Sequence, residues 1–312
     1  MTGDESDAGS AAAGSTGDAP VVVKIGGGEA VDPAGTIANV AKLVADGREV
    51  VVVHGGSTVV DETIERLGMD PEYVESASGV TGRFTDSETM EAFTMAMPGK
   101  LNTELVAAVR EAGVDAVGLS GVDGGLLAGP RKSAVRVVED GTHRIKRGEH
   151  SGRIETVDDD LLVTLLAGGY VPVVSPPMAG HEDDGVTAVN VDADRAAAAI
   201  AGALGADLVL LTDVTGVYAD PRDPGTRIES ATTPDELDAV EAAAEGFMGK
   251  KVLAAREALE SGATAVVIAA ANDDEPVTAA LAGDGTTIAA SALEPTTEPA
   301  AESTTATQGG DD

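Results

Sequence analysis

The sequence predicts an α/β protein built on a mainly parallel sheet with helices over both faces. Three observations carry that expectation. Short β-branched runs recur along the chain, amphipathic stretches separate them, and the runs are almost wholly apolar, as strands buried on both sides must be. The runs fall at Val21–Ile25, Val50–Val53, Ala116–Leu119, Val171–Val174, Leu208–Leu211 and Ala265–Ile268. Helical periodicity falls between them, at Pro33–Ala45, Thr58–Leu67, Leu101–Glu111, Val157–Leu166, Arg195–Leu204 and Lys251–Glu260. One segment breaks the alternation. Ala134–Val138 and His143–Lys146 flank Glu139-Asp140-Gly141, and Asp-Gly between alternating runs predicts a tight β-hairpin. The uncharged stretch 161–180 is long enough to cross a bilayer. Gly168-Gly169, Pro172 and Pro176-Pro177 divide it into a helix and a buried strand, so no membrane span is expected.

The 312 residues suffice for a sizeable core. Residues 1–19 and 291–312 are rich in Gly, Ala, Ser, Thr and acidic side chains and read as disordered acidic tails, which leaves one domain over 20–290. The formal net charge is −34, from 54 acidic and 20 basic residues. Phosphate backbones are held by clusters of Lys and Arg, so nucleic acid is excluded as a general partner. The absence of cysteine removes disulfides and thiolate chemistry, and His54, His143, His150 and His181 stand at no zinc-ligand spacing, so no resident metal is expected. Molar salt shortens the Debye length to about 3 Å and screens a charge of this size. With no basic and apolar leader in residues 1–19, the composition fits a halophilic, cytoplasmic protein.

In open parallel sheets ligands bind beyond the carboxyl ends of the strands. The first strand runs out through Lys24-Ile25-Gly26-Gly27-Gly28, and the second through His54-Gly55-Gly56-Ser57. Two glycine clusters, one beside a strand-borne lysine, offer bare backbone N–H groups to an anion, and phosphate is the expected ligand. The Rossmann, P-loop and protein-kinase signatures are all absent.

These two segments, with Asn190-Val191-Asp192-Ala193-Asp194, Thr212-Asp213-Val214-Thr215-Gly216-Val217-Tyr218 and Met248-Gly249-Lys250-Lys251-Val252, resemble the amino-acid kinase superfamily in order and approximate spacing. Within it the chain is most similar to the acetylglutamate kinase group, and there to archaeal and Thermus-type kinases acting on an amino acid borne by a LysW-type carrier protein. The resemblance implies a three-layer α/β/α sandwich with an N-terminal acceptor half, a C-terminal ATP half and a homodimeric state. It implies Lys24 and Lys251 as stabilisers of the transferring phosphoryl group, with Asp194 orienting them. It implies Gly55, Gly56, Arg83 and Asn190 around the acceptor. It implies Gly26, Gly27, Thr212, Asp213, Gly216, Tyr218 and Gly249 around ATP, whose Mg²⁺ has no all-protein cage in the sequence. Asp192 or Asp194 could instead simply cap the helix that follows.

The predicted hairpin is also a charge anomaly. Residues 131–153 hold Arg131, Lys132, Arg136, Arg144, Lys146, Arg147 and Arg153 against three acids, on a chain that is acidic elsewhere. Such a patch near the acceptor site suits an acidic protein partner by electrostatic complementarity, and the carriers of this kinase group are acidic. The expected function is ATP-dependent phosphorylation of the side-chain carboxylate of a carrier-bound glutamate or 2-aminoadipate, in arginine or lysine biosynthesis. Two alternatives stay open: a kinase of free N-acetyl-L-glutamate, and a non-catalytic nucleotide-binding storage or regulatory protein on the same fold.

Overall fold

The computed structural model describes residues 19–28, 32–76, 79, 81–139, 141–183 and 185–294. In chain order the elements are β1 (Val21–Ile25), α1 (Pro33–Ala45), β2 (Val50–His54), α2 (Ser57–Arg66), β3 (Tyr73–Glu75), β4 (Thr81–Arg83) and α3 (Ser87–Thr94). A π-helical stretch, Met95–Leu101, leads into α4 (Asn102–Glu111), β5 (Ala116–Gly121), β6 (Leu127–Glu139), β7 (Thr142–Gly152), β8 (Thr156–Val157), α5 (Asp159–Ala167) and β9 (Val171–Glu182). The rest comprises β10 (Gly185–Val189), α6 (Ala193–Leu204), β11 (Asp207–Thr212), β12 (Ser230–Ala231), α7 (Pro234–Ala243), α8 (Gly246–Glu260), β13 (Ala265–Ala270), α9 (Pro276–Leu281) and β14 (Thr286–Ala289).

Among the described residues one sheet of 12 strands organises the molecule: nine lie in the order β12-β14-β13-β11-β1-β2-β9-β6-β7, β10 and β5 pair with β9, and β8 pairs with β6. β1, β2, β5, β11, β13 and the first half of β9 run parallel, so their carboxyl ends share one edge. β14 is antiparallel to β13, and β6–β7 form the basic hairpin at the other end. The sheet is mainly parallel, as expected.

Strand alternation decides what each face receives. Val21, Val23 and Ile25 pack with Ile37 and Val40 of α1 and Leu105 and Val109 of α4. Val22 packs on the opposite face with Ile200 of α6 and Val252 and Ala255 of α8. Lys24 shares the side of Val22, so the sequence alternation alone aims it at α6 and α8. A smaller third cluster joins Val60 and Ile64 of α2 to Met90 and Phe93 of α3 and Met97 of the π-helical stretch.

Two expectations are corrected. The C-terminal tail does not begin at 291: Ala290–Leu293 form a 3-10 turn, Ala292 is buried, and the Ser291 hydroxyl donates to Thr232 O at 2.8 Å. The tails proper, 1–18 and 295–312, lie outside the described residues. The helix foreseen from Leu101 starts much earlier, because α3, the π-helical stretch and α4 form one continuous helical run. Pro98-Gly99 looks like a break in sequence. Bonding five residues back instead of four absorbs the N–H that Pro98 lacks.

Candidate active site

Asp194 sits in the first turn of α6, nearly buried, between two ammonium groups. Its Oδ1 is 2.8 Å from Lys24 Nζ and its Oδ2 accepts from Lys251 Nζ at 3.0 Å. Three elements distant in sequence thus meet at one carboxylate, near the carboxyl end of β1. Burial opposes the charge on Asp194, but the two lysines outweigh it and hold the carboxyl below its ordinary range. Burial lowers the Lys24 ammonium from the usual lysine value, against the pull of Asp194. One carboxylate is thus shared by two amino groups in a shielded place, with Asp192 also acting on Lys24.

The two aspartates of the Asn190–Asp194 motif divide the work. Asp192 is the N-cap of α6, accepting from the N–H groups of Asp194 at 2.9 Å and Arg195 at 3.1 Å. Asp194 is thereby free for the lysines. Capping and clamping are both present, on different residues.

The glycine loops after β1 and β2 touch through their backbones. A Cβ on Gly27 would lie 2.1 Å from the Gly56 nitrogen, and one on Gly55 would lie 3.0 Å from the Gly27 nitrogen. Only glycine allows that approach. Gly28 faces open space. Helix α2 starts at Ser57 with no side-chain cap, so its N-terminal N–H groups open beside the loops.

Asn190 donates through Nδ2 to the Thr85 hydroxyl at 3.1 Å, and its backbone is bonded to His150 and Gly152 of β7. It lines a cavity of about 450 Å³ between the root of the hairpin, including Lys132 and Arg153, and the outer face of α6 at Arg195. Arg83 is not an open fork. It donates to Asp61 Oδ1 through Nε at 3.1 Å and Nη2 at 2.8 Å, and to Ser57 O at 2.9 Å, with Tyr73 against its face. That arrangement ties β4 to the start of α2, next to Gly55-Gly56.

Thr212 ends β11, the sheet neighbour of β1, and donates through Oγ1 to Oδ1 of Asp213, the next residue, at 3.0 Å. Gly216 packs in the loop beyond with φ +146, where a Cβ would lie 2.6 Å from Thr286 Oγ1. The same hydroxyl accepts from Val217 N at 2.8 Å, and Tyr218 is hydrogen-bonded to Thr215. Gly26 follows Ile25 directly. Gly249 lies half a turn before Lys251 on α8 and lines a groove of about 320 Å³ against α7.

On the hairpin, Arg136 pairs across the strands with Ile145, and Ala134 with Arg147. Residues paired in this way share a face. Arg136 and Arg147 therefore lie on one exposed face with Ile145, which is 64% exposed. The other face is inward: Val137 is buried, while Lys146 is paired with Glu72 and lies over the Phe84 ring at 4.3 Å. Arg131 is paired with Glu182, Arg153 with Glu155, Lys132 is exposed, and Arg144 is exposed and has an interaction of its own.

The amino acid kinase family model matches residues 19–270, most of the chain. The chain belongs to the amino acid kinase family. It is 43% identical over 269 residues to a [LysW]-aminoadipate kinase of Deinococcus radiodurans, covering 86% of this chain and 91% of that one. It is 41% identical to a putative [LysW]-aminoadipate/[LysW]-glutamate kinase of Cenarchaeum symbiosum, covering 86% and 98%. It is 42% identical to an acetylglutamate kinase of Methanopyrus kandleri, covering 79% and 93%. Carbamate kinase from Giardia lamblia shares the fold, with a TM-score of 0.62 at 16% identity over 87% of this chain and 98% of that one. As an amino acid kinase the chain is a phosphotransferase that uses ATP. Three contacts around the candidate site have no signal in the sequence. Asp61 and Asn102 lie on helices without any motif, and Lys250, beside Lys251, donates to Thr81 O of β4 at 3.1 Å.

Proposed function

We propose that the chain phosphorylates the side-chain carboxylate of glutamate or 2-aminoadipate attached to an acidic LysW-type carrier protein. The observation that carries the reading is the buried Lys24–Asp194–Lys251 bridge near the carboxyl end of β1, the strand that runs out into the first of two touching glycine loops. A carboxylate acceptor has an ordinary pKa near 4.3 and is ionised at neutral pH, so no general base is needed. An acceptor oxygen attacks the γ-phosphorus of ATP, the bond to the β–γ bridging oxygen breaks, and ADP leaves with that electron pair. What the protein must supply is in-line placement and positive charge where three phosphoryl oxygens become more negative. Lys24 and Lys251 provide the charge. Asp194 holds both at fixed positions before substrate arrives, which is the preorganisation that makes such charges effective.

In this reading Gly26 and Gly27 offer N–H groups to the phosphates, with Thr212, Asp213, Gly216, Tyr218 and Gly249 on the nucleotide side. Gly55, Gly56 and Asn190 face the acceptor, and Arg83 shapes that region through Asp61. Among the described residues no group of three or more His, Asp or Glu could hold a metal ion. Mg²⁺ would accordingly enter with the nucleotide, where it neutralises phosphate charge. The exposed Arg136–Ile145–Arg147 face receives the acidic carrier, and Asn190 lines the cavity at the root of the same hairpin. A dimer is part of the proposal, taken from the family resemblance.

Free N-acetylglutamate is the second reading. It is favoured by the internal pairing of Arg131, Lys146 and Arg153, which leaves fewer cations for a partner. The chemistry common to both is tested by incubating the protein with MgATP and each acceptor and trapping acyl phosphate with hydroxylamine. Hydroxamate formation dependent on acceptor is the expected result. ADP release without hydroxamate from any carboxylate would overturn the reaction.

A further inference from the structure

His54 ends β2 on the side of the sheet away from Lys24, with its ring 1% exposed. Its Nδ1 lies 3.0 Å from Gly55 O, and its Nε2 lies 3.2 Å from Asn102 Nδ2. The same Asn102 nitrogen donates to Val173 O at 2.8 Å. A carbonyl oxygen can only accept, and that fixes both side chains. Asn102 must present its amide N–H₂ to Val173 and His54. His54 must then carry its proton on Nδ1, donating to Gly55 O, and accept on Nε2. Burial pushes the imidazole down to about 4, so the ring is neutral at working pH.

The other side of the loop is equally constrained. The Gly55 N–H donates to Ile25 O at 3.0 Å. A Cβ on Gly56 would strike Met97 Sδ and Leu101 Cδ2, each at 2.6 Å. Both belong to the π-helical stretch that delivers Asn102 to His54. In a trans peptide the N–H points opposite to the C=O. With Gly55 O turned to His54, the Gly56 N–H is turned away from the ring, and among the described residues it has no acceptor.

We infer that His54 and Asn102 are positioning residues that set the Gly55–Gly56 peptide for the acceptor, through a hydrogen-bond chain from Val173 O by way of Asn102 and the imidazole to Gly55 O. The identity of that acceptor rests on the function proposed above; the chain of bonds does not.

The test uses full-length protein labelled with ¹⁵N-histidine, whose four rings are separable by their two-bond ¹H–¹⁵N couplings. Wild-type His54 should show the Nδ1–H form and no titration between about pH 8 and 5.5, where an unperturbed ring would change. Asn102→Asp replaces a donor with acceptors and should bring a His54 titration into that window. In the hydroxylamine assay it should lower kcat/KM for the acceptor by about ten-fold or more while MgATP affinity stays within about two-fold. His54→Asn keeps a donor near the Nδ1 position and should retain most turnover, whereas His54→Leu should not. If Asn102→Asp does not fold, the two His54 variants decide. An Nε2–H tautomer in the wild type, or variants that fold and keep kcat/KM within about two-fold, would overturn the inference. Absence of turnover in the wild type itself would sink the proposed reaction instead, and the tautomer with its Asn102→Asp titration would still decide the positioning chain.

Discussion

Replacing Lys24 with Met separates what the buried bridge does for catalysis from what it does for stability. A buried ammonium carries a desolvation cost, and Lys24→Met removes it while Asp194 keeps Lys251 as its partner, so no buried charge is left unpaired. Lys24→Met should therefore keep or raise the Tm while cutting turnover by roughly 10²–10³. Asp194→Asn should behave oppositely in stability. It leaves two ammonium groups facing each other in a shielded site, and the loss should be about 3–5 kcal/mol. Thermal melts of both variants check the pair, and equal melting of the two would contradict it. Glu149 gives a pH prediction. Burial raises its carboxyl above the ordinary range, against hydrogen bonds from Ser151 and Thr85. The folded state then holds a proton more tightly than the unfolded chain, so this residue's contribution is full at low pH and is lost as pH rises through the folded value. Glu149→Gln should melt higher than wild type at pH 7, with the gain vanishing near pH 4; a deficit at both would contradict this. Lys24, Lys251 and Asp194 were legible in sequence as motif residues. The split between Asp192 as cap and Asp194 as clamp was not. Two carboxylates two residues apart look alike until the helix phase fixes which one points inward.

At the scale of elements, the hairpin β6–β7 was found from Asp-Gly between alternating runs, and Thr142 pairs with Glu139 across that turn. Its two faces were not separable in sequence, because which face is inward depends on β3 and Phe84 lying beneath it. The structure divides the basic residues into an inner, paired group around Lys146 and an outer group around Arg136, Arg147 and Ile145. Arg136 and Arg147 face outward beside the exposed Ile145, and the prediction belongs there. Arg136→Glu with Arg147→Glu should raise KM for a carrier-linked acceptor about ten-fold or more and steepen with falling salt, leaving KM for ATP unchanged. Equal effects on both substrates, measured by steady-state kinetics, would point to a structural fault instead. The helix over α3 was hidden by Pro98-Gly99, since a π-helical stretch tolerates what an α-helix does not. That stretch also brings Met97, Leu101 and Asn102 to the glycine loop, a convergence without any local signal.

For the whole molecule, parallel strands buried on both faces made the sheet legible before any motif was read, and the carboxyl edge told where to look for a ligand. The antiparallel β14 was missed because Thr286–Ala289 is too short to announce a direction. No helix among the described residues is long and apolar enough to cross a membrane, consistent with the divided reading of 161–180. A net charge of −34 on 312 residues repels itself at low salt and weakens the compact state. The Tm should climb steeply between about 0.1 and 2 M KCl as the Debye length falls from about 10 Å to below 3 Å. A salt-independent Tm by circular dichroism would mean that the acidic surface repels itself less than its charge implies.

In the proposed function a Lys–Asp–Lys bridge and two glycine loops serve a carboxylate carried to them by an acidic protein. Its most direct test compares kcat/KM for hydroxamate formation, in molar KCl with MgATP, among carrier-linked glutamate, carrier-linked 2-aminoadipate and free N-acetylglutamate. Turnover with a carrier-linked acceptor and little with the free one is the expected result, and the better amino acid names the pathway. Efficient phosphorylation of free N-acetylglutamate, unaffected by charge reversal at Arg136 and Arg147, would contradict it and reduce the basic hairpin to local charge balance.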